Sequence, residues 1–76
     1  MNYSEAQRLG AEIERDGFIL VNMLSVGNDY AVEMQVKDRE HQGVPYFIFS
    51  PEECMAFRQA YEKGQSLVHF QSSMRW

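Results

Sequence analysis

The chain has 76 residues, of which 45% are apolar and 24% charged, and its formal net charge is −4. That length lies at the small end of what one hydrophobic core can hold together without metal or disulfide staples, and the composition is that of a globular protein rather than a disordered or membrane chain. One domain is expected over residues 1–76, with 70–76 as a polar tail and a net stability on the order of a few kcal/mol.

The lone cysteine, Cys54, has no internal disulfide partner, so nothing in the chain signals an oxidising compartment, and a cytoplasmic setting is expected. No apolar run approaches a membrane span, and Met1 to Gly10 lacks the basic-then-apolar order of a signal peptide. The seven basic residues are scattered; Arg15, Lys37, Arg39 and Lys63 each have an acidic neighbour one or two positions away, and Arg8 has Glu5 and Glu12 three and four positions away. With the net charge negative as well, direct binding to nucleic acid or anionic lipid is not expected.

In chain order, Ser4 and Gln7 have capping-box spacing and predict a helix starting near Ser4. Ala6, Leu9 and Ile13 form its apolar stripe, and Gly17 is placed to end it. Gly10 falls mid-helix, where it costs about 1 kcal/mol relative to alanine. Close packing against a sheet or a partner is the expected reason.

Phe18 to Val26 is nearly continuous in apolar and β-branched residues, the pattern of a strand covered on both faces. A turn at Gly27-Asn28-Asp29 leads to Tyr30–Asp38, where Tyr30, Val32, Met34 and Val36 alternate with Ala31, Glu33, Gln35 and Lys37. After a polar loop, Tyr46 to Phe49 reads as a third strand, with Pro45 confined to its start. Ser50-Pro51-Glu52-Glu53 is the strongest local signal in the chain: an N-cap serine, a proline at the first helical position and a glutamate, Glu53, at the reciprocal capping position. The helix it opens should bury Cys54, Phe57 and Tyr61, with Ala60 at its edge, and end at Lys63-Gly64. Leu67, Val68 and Phe70 then suggest a fourth strand.

The order α-β-β-β-α-β predicts an α+β two-layer sandwich. Its sheet is four-stranded and mostly antiparallel in the order 3-2-1-4, with two helices on one face.

Catalytic and cofactor signatures are missing. His41, His69 and Cys54 stand at none of the short spacings that define zinc or nucleophile motifs. Cys54 reads as a small buried hydrophobe, His41 as a solvated loop residue and His69, on a short strand, as an edge or interface residue. The carboxylate pairs Glu52/Glu53, Asp38/Glu40 and Glu12/Glu14 are explained by capping, helix dipoles and solvated faces. No glycine cluster cradles a phosphate. Tyr46, Phe47 and Phe49 resemble the stacking aromatics of single-strand RNA binders, but the accompanying basic residues are missing and core packing is the expected role. No enzyme activity, cofactor or metal is expected.

If a three-residue turn pairs Val26 with Tyr30, then Ile19, Val21 and Met23 point away from the helices with nothing in so short a chain to cover them. A two-residue turn would reverse the faces, and the tail could itself fold over Ile19 and Val21. Met74 and Trp76, residue types enriched at interface hot spots, could extend such a surface. The leading expectation is a non-enzymatic protein-interaction or regulatory module that presents this apolar surface to a partner protein or a second copy of itself. The alternative is a small acidic inhibitor, of the kind mobile elements or phages encode, that blocks a basic nucleic-acid-binding surface with residues such as Glu12, Glu14, Asp38, Glu40, Glu52 and Glu53.

Overall fold

The computed structural model describes residues 1–71. Its elements run α1 (Tyr3–Arg15), β1 (Ile19–Val26), β2 (Asp29–Gln35), β3 (Tyr46–Ile48), α2 (Pro51–Glu62) and a short 3₁₀ turn at Val68–Phe70. The fold is α+β, with two helices and a three-stranded antiparallel sheet in the order β1-β2-β3.

α1 starts two residues earlier than the Ser4–Gln7 spacing predicts. Asn2 is the N-cap, its side chain accepting from the Glu5 amide while the Glu5 carboxylate accepts from the Asn2 amide. A tertiary contact selects this cap over Ser4. Met1 exchanges backbone hydrogen bonds with Tyr30, and its amino group also reaches the Phe49 carbonyl at 3.4 Å, so the chain is already anchored to the sheet when the helix begins.

Both helices end as their glycines predict. Gly17 (φ +95°) and Gly64 (φ +70°) take left-handed conformations, and in each case the next two amides close back on the last turn: Gly17 to Glu14 and Phe18 to Ile13, Gly64 to Tyr61 and Gln65 to Ala60. At the start of α2, Ser50 caps the Glu53 amide at 3.1 Å and Pro51 sits at the first helical position.

The sheet differs from expectation at two places. The hairpin turn has two residues, so Val26 pairs with Asp29 and Ser25 with Tyr30. Gly27 takes φ +60°, the sign a type II′ turn requires at its first central position. The register then shifts between Leu20 and Asn22 at a β-bulge. One extra residue turns the strand over, so Leu20 and Met23 both lie on the helix side while Ile19, Leu24 and Val26 lie on the other. The expected facing therefore holds for Ile19 and Leu20, which nonetheless pair two residues away from the expected register, and is reversed from Met23 to the turn, as a two-residue turn dictates.

The second difference is the fourth strand, which does not form among the described residues. Leu67 and Phe70 are both buried and Val68 is 63% exposed. That is a spacing of three, which a 3₁₀ turn satisfies and a strand cannot, because a strand would put Val68 and Phe70 on the same face. Without a neighbour there, β1 is an edge strand rather than the covered central one.

The core lies on the helix side of the sheet. Ala6, Leu9 and Ile13 from α1 and Cys54 and Phe57 from α2 meet Val32, Met34, Val36, Tyr46 and Ile48, with Leu67 and Phe70 closing one end. Phe57 is fully buried at its centre, stacked edge-on against Phe18 and Phe70 and tilted against Tyr46. Gly10 is buried, and a Cβ there would come 3.2 Å from Leu20 Cδ2, which is the close packing its position predicts. The ion pair between Arg58 and Asp16 ties α2 to the end of α1.

Candidate functional site

Two places on the surface carry features that core packing does not explain. The first is β1. All eight of its residues, Ile19–Val26, are uncharged and none is proline. Ile19 is 41% and Val21 46% exposed, side by side at the start of the strand. Met23, expected beside them, instead packs partly buried against the core, because the two-residue turn sets it opposite Val32 on the helix side. Asn22 Oδ1 accepts the Met23 amide at 2.8 Å, so a side chain takes up one backbone donor of this strand. Met74 and Trp76 lie outside the described residues.

The second is a groove of about 610 Å³ between the β2–β3 loop, the C-terminal end of α2 and the 3₁₀ turn. Its central feature is Asp38. Tyr61 donates its hydroxyl to Asp38 Oδ2 at 2.6 Å, while Asp38 Oδ1 accepts from the His41 amide at 2.9 Å and lies 2.7 Å from His41 Nδ1. These bonds hold the Asp38 carboxyl below its ordinary pKa, the Tyr61 bond contributing most and His41 next. The same bond, with the neighbouring carboxylate charge, raises the Tyr61 pKa.

A carboxylate on Nδ1 leaves the neutral imidazole with its proton on that nitrogen and its lone pair on Nε2. His41 lines the groove, and among the described residues Nε2 has no hydrogen-bond partner. The ring is held from the sides by Tyr61 and Tyr46, with centroids 5.7 and 6.3 Å away. The expected solvated loop histidine is therefore a positioned one. Part of this was visible in the sequence, since an aspartate three residues before His41 has the spacing of a side-chain-closed turn. Tyr61 is 23 residues from Asp38, and no local pattern pairs them.

The other residues considered from sequence behave as structural parts. Cys54 is 2% exposed, and burial pushes its thiol pKa up, which leaves less of the nucleophilic thiolate despite its place near a helix start. Tyr46 and Phe47 are each 2% exposed and offer no stacking platform. His69 is exposed in the 3₁₀ turn rather than on a strand edge, its ring 5.1 Å from that of Phe70. Among the described residues no group of three or more His, Cys, Asp or Glu side chains could hold a metal ion, and no helix is long and apolar enough to cross a membrane.

No family model, no curated protein and no solved structure matches this chain.

Proposed function

We propose that the chain is a non-enzymatic protein-interaction module that docks through the edge strand β1, at Ile19 and Val21. The observation that carries this reading is an uncharged, proline-free edge strand with Ile19 and Val21 exposed on it. Sheet edges in monomeric proteins are usually blunted by charges, proline or bulges, because a free edge templates pairing with another chain. β1 has only the bulge and the Asn22 cap on the Met23 amide. Both fall at mid-strand and interrupt indiscriminate strand addition there, so apolar side-chain contact at Ile19 and Val21 dominates recognition.

A second copy of the chain is the first partner to test. Antiparallel pairing of β1 with its own copy sets no like charges opposite one another, and one closed two-fold contact extends the sheet on both sides. A reducing, cytoplasmic setting fits the lone buried cysteine.

The test is light scattering over a wide concentration range on the wild-type chain and on the Ile19→Lys/Val21→Lys double variant, with circular dichroism to establish that both are folded. A concentration-dependent dimer that the variant loses supports the reading. If the wild type is monomeric throughout, the partner is another protein, and wild-type and variant baits must then differ in what they retain. Identical retention would overturn the proposal.

A further inference from the structure

The groove beside His41 is built without any residue of β1 and has its own chemistry. Among the described residues its lining includes three carboxylates, Asp38, Glu40 and Glu62, and neither lysine nor arginine. Asp38 is already engaged by Tyr61 and His41, which leaves the charge of Glu40 and Glu62 at an opening that Nε2 of His41 also lines. An anion would meet only repulsion there. A neutral apolar ligand would have to strip water from the carboxylates. A flat or compact cation bearing N–H donors satisfies both features at once. It donates to the Nε2 lone pair and neutralises carboxylates that have no lysine or arginine partner among the described residues.

We propose that this groove binds an organic cation, an alkylguanidinium or alkylammonium group, with Nε2 of His41 accepting one N–H and Glu40 and Glu62 supplying the charge. Asp38 and Tyr61 are positioning residues: they fix the ring and its tautomer and do not touch the ligand. The same head group could come from a free small amine or from an arginine or lysine side chain of a peptide.

The test is a nuclear magnetic resonance titration of the labelled chain with agmatine, which carries both head groups, at low salt. A saturable shift of the His41 and Tyr61 side chains and of the Gln65 and Ser66 amides is expected, and succinate should produce none. Glu40→Gln/Glu62→Gln, which removes two exposed charges and leaves the Asp38 network in place, should weaken binding by about tenfold. Glu14→Gln/Glu52→Gln removes the same net charge away from the groove and should leave affinity unchanged. In a parallel titration, blocked arginine amide binding as tightly as agmatine identifies a peptide side chain as the source, and agmatine binding alone identifies a free amine. Shifts that never saturate, that spread over α1, or that survive unchanged in Glu40→Gln/Glu62→Gln overturn the site. Because β1 takes no part, Ile19→Lys/Val21→Lys should titrate like the wild type, which keeps this test separate from that of the dimer.

Discussion

Asp38 accepts three hydrogen bonds at a position where the sequence shows only a polar loop, and this has a consequence for pH. Its folded pKa is depressed below the ordinary aspartate value. A depressed carboxylate adds stability above its unfolded pKa and loses that contribution as pH falls through the folded value. Acidification below the ordinary aspartate range should therefore loosen the β2–β3 loop from α2. Tyr61→Phe removes the largest cause of the shift, so the Asp38 carboxyl should titrate closer to its usual range in that variant, as read from side-chain carbon shifts. An unmoved titration would mean that Tyr61 does not hold Asp38 in solution. The Tyr61 contribution has the opposite sense: its pKa is raised, so the bond is intact at neutral pH and lost only as alkaline pH ionises the phenol.

At the scale of elements, glycines in one chain respond oppositely to the same substitution. Gly64 closes α2 with φ +70°, a conformation that costs about 1 to 2 kcal/mol for a residue with a Cβ, and Gly64→Ala should destabilise by that amount in urea unfolding. Gly10 lies in regular helix, where alanine gains up to about 1 kcal/mol. The incoming methyl meets only the tip of Leu20, a half-buried side chain on an edge strand that can turn aside. Gly10→Ala should therefore raise stability, and a loss would show that Leu20 is locked. The 3₁₀ turn gives a sharper contrast. Phe70 packs 5.0 Å from Phe57 and Phe70→Ala should cost about 3 to 5 kcal/mol, enough to unfold much of a domain this small. Val68 is exposed, and Val68→Ala should stay within about 0.5 kcal/mol of wild type. A fourth strand would have made the two positions cost alike.

For the molecule as a whole, the charge balance sets how association should respond to salt. If the edge-strand contact is apolar, raising salt to about 1 M, where the Debye length is only about 3 Å, should leave dimer mass unchanged or favour it. Association that collapses in salt would point instead to the carboxylates and to the inhibitor reading. Much of the fold was legible in the sequence because its signals are local. Ser50-Pro51 opening α2, Gly17 and Gly64 closing the helices, and the alternation of Val32, Met34 and Val36 each depend on contacts a few residues away. The misses share one physical cause, which is that they depend on partners distant in the chain. Asn2 outcompeted Ser4 because Met1 bonds to Tyr30, and β1 became an edge because Leu67 and Phe70 folded into a turn against Phe57. The two-residue turn reversed the half of β1 beside it, the alternative that the sequence left open, and the bulge at Val21 turned Ile19 and Leu20 back by inserting a single residue whose place nothing in a run of apolar side chains marks. The candidate groove followed the same rule: the turn joining Asp38 to His41 is written in their spacing, but Tyr61 reaches Asp38 only after α2 has packed on the sheet. By itself the sequence determined the elements that short-range backbone and capping chemistry can define. Tertiary structure decided the sheet edge, the exposed pair Ile19 and Val21 and the orientation of His41, because each depends on which distant surfaces burial brings together.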